Sequence, residues 1–164
     1  MTVDNAPWLQ FLLLGLLLII AIMFLLTQQN TLKAIQPENR LMNPGLVWLE
    51  LIPVIGQCWQ FLVAARIAGS IRKELEFRQE DTILGLSDAS AIGREGRRPT
   101  YVIGITYCTL NVVGIFLNLF LTIGPRSLLL LFPALINLGG VICWIVYWVR
   151  LADAKRELLR AGLG

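Results

Sequence analysis

The chain has 164 residues, of which 56% are hydrophobic and 15% charged, against about 45–50% and about 25% in soluble domains. That balance excludes an ordinary water-soluble domain, and four apolar spans of about 20 residues leave no room for a second, soluble unit. The net charge of +3 is distributed by membrane side and forms no single basic patch, which excludes a nucleic-acid surface.

Residues 11–26 form an unbroken apolar run, preceded by Trp8 and Gln10 and followed by Thr27-Gln28-Gln29-Asn30, so residues 8–27 are expected to cross the membrane as a helix. A cleaved signal peptide is the alternative, but it requires a basic start, and here Asp4 precedes a first basic residue at Lys33. Residues 31–43 are a polar connector ending in Asn43-Pro44-Gly45, a cluster that stops one helix and starts another. A second membrane segment, residues 45–69, begins there and carries Glu50, Pro53, Gln57 and Gln60. Pro53 removes a backbone donor and crowds the turn before it, so a kinked helix is expected, bent near residues 49–53.

Beyond Ala65 the pattern becomes amphipathic. Ala64, Ile67, Ile71 and Leu75 repeat at helical spacing, while Arg66, Arg72, Lys73, Glu74, Glu76 and Arg78 occupy the other faces. This is the signature of a helix leaving the membrane, supported by the i,i+4 pairs Glu74 with Arg78 and Arg72 with Glu76. The acids Glu74, Glu76, Glu80, Asp81 and Asp88 are expected to form a solvated face. A cytoplasmic loop over residues 70–100 ends in Arg94, Arg97 and Arg98, basic flanks suited to anionic headgroups or a partner.

Residues 101–123 and 127–149 are two further spans joined by Gly124-Pro125-Arg126, and so short a joint makes them an antiparallel hairpin. Trp144, Tyr147 and Trp148 suit an interfacial aromatic belt. The tail, residues 150–164, continues as an amphipathic helix with Leu151, Ala154 and Leu158 on one side. Arg150, Lys155, Arg156 and Arg160 surround it as candidate lipid or partner contacts. Cys58, Cys108 and Cys143 fall inside apolar segments without ligand spacing, and the chain has no histidine. They are expected to be small buried hydrophobes; neither a metal nor a cofactor is indicated.

Basic residues orient the spans. With four crossings, Arg66, Arg72, Lys73, Arg78, Arg94, Arg97, Arg98, Arg150, Lys155, Arg156 and Arg160 share one side, and Lys33, Arg40 and Arg126 the other, eleven against three. If residues 45–69 instead enter and leave by one face, Lys33 and Arg40 join the majority, thirteen against one. Four crossings are expected nonetheless, because the segment is long enough to span and a re-entrant one frees backbone groups that need partners. Both arrangements put the C-terminus on the cytoplasmic side.

Glu50, Pro53, Gln57 and Gln60 step by 3, 4 and 3 and so share one side of a helix. Gly104, Tyr107, Asn111, Gly114, Asn118 and Thr122 do the same in the third span, as do Pro133, Asn137, Gly140, Trp144 and Tyr147 in the fourth. The second, third and fourth helices are therefore expected to meet along these stripes, with the first outside against lipid. Glu50, Gln57, Gln60, Tyr107, Asn111, Asn118 and Asn137 are either interhelical glue or the lining of a path for an ion, proton or small solute. Without histidine there is no Ser-His or Cys-His pair, and no second membrane carboxylate joins Glu50 as an acid/base couple.

The run Asn39-Arg40-Leu41-Met42-Asn43-Pro44-Gly45-Leu46-Val47-Trp48-Leu49-Glu50-Leu51-Ile52-Pro53 resembles an N-R-x-M-x-P-G-x-V-W-L-x-L-I-P motif of small bacterial multi-pass membrane proteins of no established function. Trp59-Gln60-Phe61, then Ser70 and Glu74, and later Trp144-Ile145-Val146-Tyr147-Trp148-Val149 continue the likeness. The resemblance implies a fold with four membrane segments and no particular activity; the tail after Val149 departs from the group's glycine-tyrosine pattern. The expectation is thus an all-α integral membrane protein, one domain over residues 1–164: a bundle of four membrane-embedded helices, the second kinked at Pro53, with a helical cytoplasmic extension. Its expected role is non-enzymatic, by association as a homo-oligomer or as an accessory subunit of a larger membrane complex. A homo-oligomeric channel using the Glu50 stripe is the alternative, and a lipid-acting enzyme the third.

Overall fold

The computed structural model describes residues 7–83, 99–123 and 131–161, and these form helices and short connections with no strand among them. Among the described residues there are four α-helices: α1 (Pro7–Lys33), α2 (Ile55–Ile83), α3 (Pro99–Ile123) and α4 (Leu131–Ala161). Two 3-10 helices, Pro37–Asn39 and Pro44–Leu51, lie between α1 and α2. Arg94, Arg97 and Arg98 lie outside the described residues.

Among the described residues, three helices are long and apolar enough to cross a membrane, through Trp8–Lys33, Thr100–Phe120 and Phe132–Arg160. The bundle is packed by side chains that fix helix direction. Gly104 meets Tyr147, Gly140 meets Leu110 and Gly114 meets Asn137, so α3 and α4 form the antiparallel hairpin expected from their short joint. Gly104 also lies where three helices cross: an added Cβ would stand 2.9 Å from Tyr147 and 3.2 Å from Ala64.

α1 departs from its expected place outside the bundle. Its N-terminal half is exposed, but Phe24 and Leu25 are buried, and Phe24 sets its ring edge-on to Tyr107, Trp144, Tyr147 and Trp148. Trp148 donates its indole N–H to Thr27 Oγ1 at 2.9 Å. The sequence offered no continuous polar stripe here, because the buried residues, Phe24, Leu25, Gln28, Thr31 and Leu32, mix apolar and polar types and are confined to the helix's last turns.

Residues 45–69 do not form one kinked helix. Pro44 opens a 3-10 helix, with the Asn43 side chain accepting from the Gly45 N–H at 2.9 Å. That helix stops at Leu51; Ile52 is extended (φ −75°, ψ 120°) and Val54 has φ 68° before α2 starts at Ile55. The proline thus divides the segment, since it neither donates to nor fits an uninterrupted helix. The two arms close on each other: Trp59 Nε1 donates to Leu46 O at 2.8 Å, and Gly56 lies against the Glu50 backbone so tightly that a Cβ would collide with it.

The segment is therefore a hairpin that rises and returns. Gln60 bonds Tyr107 and Ala64 meets Gly104, so α2 runs antiparallel to α3. Ile55 lies about 14 Å beyond the Ala64–Gly104 crossing, and α3 continues about 28 Å beyond it. The hairpin tip accordingly reaches only half the height of α3, and its residues Leu51, Ile52, Val54 and Ile55 are apolar and exposed.

Both feet of the hairpin stand at one end of the bundle. Leu32 and Ile35 share a core cluster with Ile71, Leu151 and Leu158, and Asn39 donates to the Glu74 carboxylate at 2.8 Å. These contacts hold the residues 33–40 connector at the same end of the bundle as Arg78 and the tail, whereas a four-crossing arrangement separates Lys33 and Arg40 from them by a bilayer. The tail continues α4 without a break through Ala161, with Leu151 and Leu158 buried as the pattern predicts.

Candidate functional site

Two polar clusters organise the molecule, one deep between helices and one at the hairpin's feet. The deep cluster draws on α1, the second 3-10 helix, α2, α3 and α4. Gln60 Nε2 donates to Gln57 Oε1 at 3.1 Å, and the Tyr107 hydroxyl donates to Gln60 Oε1 at 2.9 Å. Tyr107 stacks on Tyr147 with ring centroids 5.9 Å apart. Glu50 lies within electrostatic reach of Tyr107, Cys108 and Tyr147, with the Gln28 side chain as its hydrogen-bonding neighbour. Gln28 Oε1, Glu50 Oε1 and the Tyr147 hydroxyl are buried without any hydrogen-bond partner in the protein.

Of the seven predicted stripe residues, the structure brings together Glu50, Gln57, Gln60 and Tyr107. Asn111 and Asn137 instead line a cleft of about 310 Å³ between α3 and α4, together with Tyr107, Leu110, Gly140 and Trp144. Asn118 Nδ2 donates to Gly114 O of its own helix at 2.8 Å. The stripe thus splits, because hairpin and α3 overlap only over the lower half of α3. Gln28 was missed: it sits in a polar run that reads as the end of a span. Its signal was present in the i, i+4, i+7 spacing of Phe24, Gln28 and Thr31, all three buried.

The second cluster centres on Glu74, which is fully buried and not part of a solvated face. Its Oε2 accepts from Asn39 Nδ2 at 2.8 Å and from the Gln36 N–H at 3.1 Å, and its Oε1 from Arg78 Nε at 2.8 Å. Burial alone would push this carboxyl up, but Asn39, Arg78 and the Gln36 amide together hold it below its ordinary value. Arg78 reaches onward to Leu158 O at 3.0 Å, tying α2 to the tail. Ser70 Oγ accepts from the Leu41 N–H at 2.8 Å, Lys73 donates to Glu38 O at 2.8 Å, and Arg40 donates to Ile35 O and Lys33 O. The polar connector is thereby clamped onto α2.

The second expected ion pair, Arg72 with Glu76, forms at 3.3 Å on the exposed side. Arg156 pairs with Asp153 at 3.4 Å, also exposed; Arg160 is exposed on the same helix, whereas Lys155 is half-buried on the face of Leu151 and Leu158. Cys108 is buried as expected, whereas Cys58 is exposed on the hairpin and Cys143 is intermediate. Among the described residues no group of three His, Cys, Asp or Glu side chains gathers as a metal centre.

No family model matches the chain, and no curated protein or solved structure matches it either.

Proposed function

We propose that this is a non-enzymatic integral membrane protein that acts by association, first with further copies of itself and alternatively as an accessory subunit of a larger membrane complex. The observation that carries the reading is the outer half of α1. Trp8, Phe11, Leu12, Leu13, Leu14, Leu16, Leu17 and Ile19 are all exposed, so half of a membrane helix meets nothing of its own chain among the described residues. Such a rod, pinned at one end by Phe24 and Trp148, presents an apolar surface that a second membrane helix covers by van der Waals packing.

In this proposal α1, α3 and α4 cross a bacterial inner membrane and the hairpin re-enters from the cytoplasmic side. The thirteen-against-one distribution of basic residues supports a cytoplasmic C-terminus and an external N-terminus. The rival, a homo-oligomeric channel lined by the Glu50 stripe, is weakened by the stripe's division, with Gln57, Gln60 and Tyr107 bonded to one another.

Energy transfer between donor- and acceptor-labelled copies in liposomes tests the reading, paired with cross-linking in native membranes. Transfer that persists on lipid dilution and is weakened by alanine substitutions at Leu12, Leu13 and Leu16 is expected. A chain monomeric in liposomes and free of cross-linked partners in native membranes overturns it.

A further inference from the structure

We infer that Gln28, Glu50 and Tyr147 form a buried binding site for one dehydrated monovalent cation, with sodium as its chemical type. Three oxygen atoms, Glu50 Oε1, Gln28 Oε1 and the Tyr147 hydroxyl, are covered by protein and left without a hydrogen-bond partner, while the Gln28 side chain also hydrogen-bonds the Glu50 carboxyl. They come from α1, the second 3-10 helix and α4, and two of the side chains, Gln28 and Tyr147, are 2% and 0% exposed. Unpartnered buried oxygen is costly, and such groups are rare unless something serves them.

The chemistry of the cluster selects the occupant. The groups facing Glu50 are Gln28 from α1, Tyr107 and Cys108 from α3, and Tyr147 from α4; none is a Lys or Arg. Gln57 and Gln60 of α2 are engaged with each other and with Tyr107. A single carboxylate therefore stands without a cationic side chain, and one unit of positive charge makes the site neutral. A divalent ion would leave excess charge in a low-dielectric interior, and small divalent ions also shed water reluctantly. A proton supplies one donor and serves one acceptor, whereas a bare cation draws on the lone pairs of more than one oxygen at a time. Hard oxygen donors suit hard cations, and helix breaks with freed oxygens are where membrane proteins hold sodium or protons. The hairpin break at residues 52–54 lies just past Glu50 in the chain.

The test is the thermal unfolding midpoint of the purified full chain in detergent, in sodium chloride against choline chloride at equal ionic strength, from pH 5 to pH 9. Sodium is expected to raise the midpoint by roughly 2–4 °C, the effect of a ligand about five-fold above its dissociation constant on a chain of this size. The sodium needed is expected to increase as pH falls, because protons compete for Glu50. Glu50→Gln, which keeps shape and removes the charge, abolishes the sodium effect while folding in choline. Tyr147→Phe, which removes only the hydroxyl oxygen, weakens it by several-fold in the sodium concentration required. Identical midpoints in sodium and choline at every pH overturn the site, as does a pH dependence without any sodium dependence, which assigns Glu50 to a proton alone. A sodium effect that survives Glu50→Gln overturns it too.

Discussion

Glu74 shows what one side chain does when a connector must be held against a helix. It receives two hydrogen bonds from residues 36–39 and one from Arg78, so its ionised form belongs to the folded state. Glu74→Ala removes the acceptor shared by Arg78 Nε, Asn39 Nδ2 and the Gln36 N–H. The loss is expected at about 3 kcal/mol, the lower end of the range for a broken buried pair, because the Arg78 side chain keeps 22% exposure. The same bonds hold the folded carboxyl below its ordinary value of 4.5, which fixes the sign of the acid response. The contribution is complete above the ordinary value and is lost as pH falls through the lower, folded one. Unfolding midpoints measured from pH 6 downward are expected to drop below pH 4.5 in the native chain, whereas the Glu74→Gln difference from it narrows over that interval. The i,i+4 pairing with Arg78 was legible from spacing. The bonds from Asn39 and Gln36 were not, since helical periodicity reports which face a residue occupies and nothing of what a distant connector brings to it.

At the scale of elements, the hairpin is governed by two positions close in sequence with opposite demands. Val54 carries φ 68° and is 80% exposed, a left-handed backbone that a β-branched residue adopts only under strain. Val54→Gly relieves about 1–3 kcal/mol and adds about 0.5–1 kcal/mol of chain entropy cost. Relief matches or exceeds that cost, so a net gain of about 0–2.5 kcal/mol is expected in detergent unfolding. Gly56→Ala acts the other way. Its Cβ meets the Glu50 backbone, which cannot swing aside as a side chain would, and overpacking of this kind costs about 1–3 kcal/mol. An unchanged midpoint in Gly56→Ala means the arms are not closed. Pro44-Gly45 marked the hairpin's start correctly, because proline and the Asn43 cap act locally. Pro53 was read as a bend within a helix when it ends one. Telling the two apart required Trp59 and Gly56, whose partners Leu46 and Glu50 become visible only once the chain has turned back.

For the whole molecule, the clamp decides more than the apolar runs do. Four stretches are apolar, yet among the described residues three make helices that meet the length and composition needed to cross, because residues 45–69 spend their length rising and returning. Hydropathy counts apolar residues and is blind to reversal, which is why the segment looked sufficient to span. The charge distribution held the opposing signal: Lys33 and Arg40 are the two residues whose side changes between the arrangements, and Arg40 is bonded to the end of α1 while Asn39 is bonded to Glu74. The proposed three-crossing topology therefore has a direct check in single-cysteine labelling with a membrane-impermeant maleimide, in a background with Cys58, Cys108 and Cys143 replaced by alanine. Lys33→Cys and Glu38→Cys, both exposed at the foot of the hairpin, are expected to react from the same side as Arg156→Cys in the tail. An epitope placed before Trp8 is expected to be accessible only from the opposite side. Labelling of positions 33 and 38 from the side opposite Arg156→Cys would mean that residues 45–69 cross, and would require the Asn39–Glu74 bond to be absent in the bilayer.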